Sequence, residues 1–115
     1  MGARAQVIIK GTGHADLYFY THWGANTIID TVSCALDRGR SRWDDPSYLA
    51  RIIFSEMIKD DVMELIGYGI STESVGDSQW DVIVDVPSQT VTCDAGPLRI
   101  KNMSFRKFAD FTKEF

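Results

Sequence analysis

The chain has 115 residues, 44% of them hydrophobic and 24% charged, a size and balance that suit one domain built around one core. Sixteen acidic against twelve basic residues leave a formal net charge of −4. That excess argues against general nucleic-acid binding, which relies on a cationic surface to neutralise phosphates.

Ala5 to Lys10 is rich in β-branched residues and stops at Gly11-Thr12-Gly13, which predicts a strand and a turn. Asp16 to Trp23 predicts a second strand, with Leu17, Phe19, Thr21 and Trp23 on one face and Tyr18, Tyr20 and His22 on the other. The connection is short enough for a hairpin. Aromatics on both faces place the second strand centrally, or under cover on both sides. Gly24-Ala25-Asn26 then breaks it, and Asn26 is placed to cap a helix running to about Arg38. Ile28, Ile29, Val32, Ala35 and Leu36 form its apolar stripe and Gly39 stands at its end.

Arg38 to Arg42 reads as an exposed loop. Asp45 followed by Pro46 marks a second helix, an acidic cap with proline at the first helical position. Leu49, Ile52, Ile53 and Met57 supply its buried face. Its end is expected near Asp60 or Asp61, although Val62 to Ile66 have the composition to prolong it. Gly67 to Thr72 predicts a third strand. A polar turn, Glu73 to Gln79, leads to Trp80–Val86, where Trp80, Val82, Val84 and Val86 share a face opposite Asp81 and Asp85. Pro87-Ser88-Gln89 turns that strand into a hairpin with Thr90 to Asp94, and Leu98 to Lys101 forms a short extended piece. Ser104 caps a last helix in which Phe105, Phe108 and Phe111 recur at threefold spacing, a stripe suited to packing.

The expected fold is therefore α+β: a mostly antiparallel five-stranded sheet with two central helices and a C-terminal helix, order ββααβββα, in a single domain over residues 1–115. Cys34 and Cys93 are too few for a disulfide scaffold and are not spaced as a metal motif, so two buried thiols in a reducing compartment are expected. No apolar run approaches the roughly 20 residues of a bilayer span, and no signal-peptide apolar region opens the chain. A cytoplasmic setting without membrane contact is the expectation.

Two stretches carry candidate chemistry. In Tyr18-Phe19-Tyr20-Thr21-His22-Trp23-Gly24, His22 beside Tyr20 at a strand end is a candidate acid or base, and Trp23 a stacking group. The simpler account makes the aromatics core and has His22 hold the turn. In Arg38–Asp45, three arginines beside a helix N-terminus suit a phosphate or carboxylate. Asp44 and Asp45 at the same helix start offset that field, and a solvated loop with capping aspartates is the simpler account. Arg51, Glu56 and Tyr48 lie on the second helix without a decided facing. With His14 and His22 as the only histidines, and no HExxH, paired CxxC or EF-hand loop, no metal and no cofactor are expected. Gly11-Thr12-Gly13 lacks the helix and lysine of a phosphate loop.

Four segments taken together, Arg4–Val7, Tyr18–Gly24, Arg42–Phe54 and Gly67–Thr72, resemble a family of small phage, prophage and bacterial proteins without an assigned activity. The likeness spans about residues 3 to 90. It implies a phage-type accessory protein of the host cytosol that acts by binding. The leading expectation is a non-enzymatic binding domain for a small anionic, nucleotide-like ligand or a host protein. Its ligand-binding set is Tyr20, His22, Trp23, Arg42, Trp43 and Arg51: Trp23 to stack, Arg42 and Arg51 to meet negative charge, Tyr20 and His22 to hydrogen-bond. One alternative is a small enzyme acting on a nucleotide or phosphoester, with His22 as acid or base and Arg42 on the phosphate. Another is a homo-oligomeric interaction module, a dimer formed through Phe111 and Phe115.

Overall fold

Runs of β-branched and aromatic residues at alternate positions build one sheet, and the structure, a computed structural model, describes residues 4–11, 13, 15–22, 24–74, 80–95 and 98–111. The strands are β1 (Ala5–Lys10), β2 (Leu17–Thr21), β3 (Tyr68–Ser71), β4 (Trp80–Asp85), β5 (Thr90–Ala95) and β6 (Leu98–Ser104), in the spatial order β3-β2-β1-β4-β5-β6. The helices are α1 (Ile28–Arg38), α2 (Pro46–Ile58) and α3 (Phe105–Phe111). Period-two alternation gives the sheet one apolar face: Val7, Ile9, Phe19, Val82, Val84, Val91 and Cys93 are all buried there. The helices close that face, with α1 packed between α2 and α3. The Phe19 and Phe54 rings meet at 5.1 Å between β2 and α2. At the other end, Ser33 on α1 donates its hydroxyl to the carbonyl oxygens of Phe108 (2.8 Å) and Ala109 (3.2 Å) on α3.

The α+β arrangement, the β1–β2 and β4–β5 hairpins and the mostly antiparallel pairing agree with the expectation, but the described sheet has six strands, not five, and one parallel pair makes it mixed. β1 and β4 run parallel, with Ala5 opposite Trp80 and Lys10 opposite Asp85. The reason is where β3 goes: it adds to the outer side of β2, with Thr21 opposite Tyr68, so β4 takes the free side of β1. Two strongly apolar strands then meet at the centre, where a parallel pair is normally found. The sixth strand is the extended piece after residue 97, prolonged to Ser104 and paired antiparallel with β5. Its Arg99, Lys101 and Asn102 hide the alternation, and its pairing shifts register near Val91 and Cys93. Ser104 closes β6 and also caps α3, its Oγ accepting from the Lys107 amide at 3.1 Å.

Helix boundaries depart from the sequence reading where side chains compete for the backbone. A 3-10 turn over Ala25–Thr27 precedes α1, so Asn26 lies inside the turn and is not the cap. Thr21 Oγ1 accepts from the Gly24 amide (3.0 Å) and Thr27 Oγ1 donates to the Gly24 carbonyl (3.2 Å). Gly39 ends α1 with its amide on the Ala35 carbonyl at 2.9 Å. Asp45 caps α2 as expected, accepting from the Tyr48 amide at 3.3 Å. α2 stops at Ile58, and Val62 to Ile66 do not prolong it.

The expectation of two buried thiols holds for one cysteine only. Cys34 is exposed, because Val32, Ser33, Ala35 and Leu36 already occupy the inward face of α1. Cys93 is buried on β5, and loss of hydration, reinforced by Asp94 and Asp81, pushes its thiol up to about 11. Among the described residues no helix is long and apolar enough to cross a membrane.

Candidate functional site

The alternation that sends Phe19 and Thr21 into the core turns Tyr18 and Tyr20 to the opposite face of the sheet, which no helix among the described residues covers. Tyr20 stands across from Gly69 on β3 and Gln6 on β1. With no side chain at 69, the phenol lies directly over the Gly69 backbone. His22 follows two residues on. Its amide donates to the Gly67 carbonyl at 2.9 Å, and its imidazole stacks on the Tyr20 ring at 5.7 Å and 25°. The backbone of β2 thus sets two rings side by side at the end of the strand.

These rings form part of a cleft of about 490 Å³, also lined by Arg4, Ile70, Ser71, Glu73 and Ser74. Arg4 immediately precedes β1, and Ser71 closes β3. The Ser71 hydroxyl accepts from the Glu73 amide at 3.0 Å, which shapes the chain as it leaves the strand. Ser74 accepts from the amide nitrogen of Gln6 at 3.2 Å, and the same Gln6 nitrogen reaches Asp81 at 3.1 Å. The buried Gln6 side chain therefore ties the floor of the cleft to its rim. A cleft of this size accepts a small organic ligand. It offers a stacked aromatic pair, one cation at Arg4, one carboxylate at Glu73 and two serine hydroxyls.

Of the residues expected to bind ligand, Tyr20 and His22 come together here, and Arg42, Trp43 and Arg51 do not line this cleft. The last three belong to the helical layer on the other side of the sheet. The Arg42 guanidinium lies 4.6 Å from the Tyr48 ring centre, with Asp45 at 3.9 Å. Trp43 donates its indole N–H to the Leu36 carbonyl at 2.9 Å and meets the Phe105 ring edge-on at 5.6 Å, under the Arg40 guanidinium. Arg40 itself joins Asp37 and Asp110, each at 2.9 Å. Arg51 borders a shallow groove with Arg38 and Ile52, and Arg38 is held by Glu56 at 3.2 Å. Trp23 lies outside the described residues, as do Phe115 and the side chain of Phe111.

Comparison with family models, curated proteins and solved structures returns no match for this chain. Geometry alone therefore argues for the site. Among the described residues no group of three His, Cys, Asp or Glu side chains is placed to hold a metal ion. Sequence reasoning missed Arg4, Ser71, Glu73 and Ser74, which come from two stretches of chain distant from Tyr20 in sequence. One signal was present: Gly69 in a strand marks a close approach by something else, which here is Tyr20.

Proposed function

We propose that this protein is a non-enzymatic binding domain whose open sheet face takes a small anionic ligand with a planar ring, of nucleotide type. The observation that carries the reading is the stacked Tyr20–His22 pair in one cleft with the Arg4 cation. An aromatic pair favours a flat ring through stacking, and a guanidinium favours a phosphate or carboxylate through paired hydrogen bonds. Glu73 selects for a ligand that also donates, such as a base with an exocyclic amine. Arg4 takes the charge-binding role first assigned to Arg42 and Arg51. The phage-type setting implied by the Tyr18–Gly24 and Arg42–Phe54 segments fits a small protein that works by binding.

The test is thermal shift and calorimetry with nucleoside mono-, di- and cyclic phosphates. At a hundredfold excess over the dissociation constant, binding stabilises the native state by about 2.7 kcal/mol. For a domain of this size that is on the order of a 10 °C rise in Tm. Arg4→Gln and His22→Ala should each remove most of the shift while leaving the unliganded Tm nearly unchanged, since neither side chain belongs to the core. If no member of the panel at millimolar concentration moves Tm or releases heat, the small-ligand reading is wrong.

A further inference from the structure

The edge of the sheet next to the cleft presents an apolar surface that meets it at Ile70. Five of the six large apolar residues exposed among those described fall between α2 and the middle of β3: Val62 (64%), Met63 (85%), Leu65 (97%), Ile66 (70%) and Ile70 (57%). The sixth, Tyr48, lies under the Arg42 guanidinium. The connection from Asp61 to Gly67 is organised by its own bonds. The Asp61 amide donates to Ile58 O (2.8 Å), the Glu64 amide to Asp61 O (2.9 Å), and the Tyr68 hydroxyl to the Asp61 carboxylate (3.0 Å). Gly67, at φ +101°, is pinned by the His22 amide. The apolar side chains are thus held outward by a fixed turn.

β3 ends the sheet, and among the described residues its outer edge, four residues long, has shortness as its one guard. Tyr68-Gly69-Ile70-Ser71 has no charge, no proline and no bulge. The opposite edge is guarded: β6 has exposed Arg99 and Lys101, Asn102 at φ +52°, and a register shift against β5. Ile70 shares the core-side face with Phe19 but extends beyond the cover of the helices. An edge strand without charge, proline or bulge is a template for one more strand, and it pairs antiparallel with itself about a two-fold axis without opposing like charges.

The size of the patch fits the same occupant. Summed over whole residues, the five present roughly 700 Å² of exposed surface, near the ~800 Å² that one partner gives to a standard interface. We propose that a second copy of this chain covers this surface, β3 pairing antiparallel with β3 of the other copy and the Val62–Ile66 turns packing beside it. The sheet then continues across the two-fold axis. β3 also borders the cleft through Ile70 and Ser71, so the interface and a bound ligand would share this strand.

Sedimentation velocity of the full chain from about 1 to 200 μM tests the proposal, together with Leu65→Lys, Ile70→Lys and, on the guarded edge, Lys101→Glu. The expected result is a species of twice the 12.9 kDa chain mass for wild type and Lys101→Glu. Leu65→Lys and Ile70→Lys should dissociate at least tenfold more readily while keeping the wild-type circular dichroism spectrum, because both residues are exposed in the single chain. Hydrogen exchange of the β3 amides in wild type should slow as concentration rises. A wild-type protein that stays at 12.9 kDa throughout overturns the proposal, whatever other partner this face takes. A dimer that survives both lysine substitutions overturns it too, by placing the interface elsewhere.

Discussion

Replacing Gly69 with alanine tests the geometry on which the candidate site depends. A Cβ at this position would lie 2.6 Å from Tyr20 Cε2 and closer still to Cζ and Oη, inside the ring's own volume. Gly69 lies in a regular strand and has no positive φ, so the obstacle is the ring and not the backbone. The ring must swing aside, giving up its contact with the β3 backbone and its stack on His22. Overpacking of this kind costs about 1–3 kcal/mol. Alanine offsets about 0.5–1 kcal/mol of that through its lower conformational entropy in a strand. A net loss of about 1–2 kcal/mol follows, a fall in Tm of roughly 4–8 °C for a chain of this length.

The decisive measurement is a double-mutant cycle with Tyr20→Ala, each protein unfolded in urea. Without the ring, Gly69→Ala meets no obstacle and should be neutral or stabilising by up to about 1 kcal/mol. The coupling between positions 20 and 69 should then be about 2 kcal/mol. If Gly69→Ala costs the same in both backgrounds, the phenol does not lie on the glycine, and the floor of the cleft is not built as described.

Three further predictions rest on Ser33 and the two cysteines. Ser33→Ala leaves the last carbonyls of α3 without the hydroxyl that bridges them to α1, and should cost about 1–2 kcal/mol; an unchanged Tm would refute that link. At pH 8 a thiol-disulfide reagent should modify one cysteine of the folded protein quickly, the exposed Cys34, and the second only after unfolding. Because burial raises the Cys93 thiol from 9.0 to about 11, the unfolded chain ionises first. Stability from this group is therefore present below pH 9 and lost as pH rises from 9 to about 11. The slope of stability against pH in that window should be shallower in Cys93→Ala than in wild type, and equal slopes would contradict the burial argument.

Local chemistry made much of the fold legible. Asp45-Pro46 starts α2 where an acidic cap and a fixed φ demand it, and Gly39 ends α1. Trp80 to Val86 alternates so regularly that its buried face could be named residue by residue. Where interactions run across the chain, the reading failed. Leu98–Ser104 is a strand because β5 has a free edge to pair with, which its own charged residues do not announce. Cys34 reads as a small apolar residue on a helix, and only the packing of α1 between α2 and α3 shows that its side faces water.

The candidate site divides the same way. That Tyr20 and His22 share a face follows from the two-residue period of a strand, a property of the backbone that any sequence reveals. Which charges join them does not follow, because a sheet separates two faces absolutely while saying nothing of sequence distance. Arg42 and Trp43 are drawn to the helical side by the Asp45 carboxylate and the Phe105 ring. Arg4, Glu73 and Ser74 reach Tyr20 only because β1 and β3 flank β2 on either side. The order of strands, set by burial over the whole core, decided which cation faces the aromatic pair.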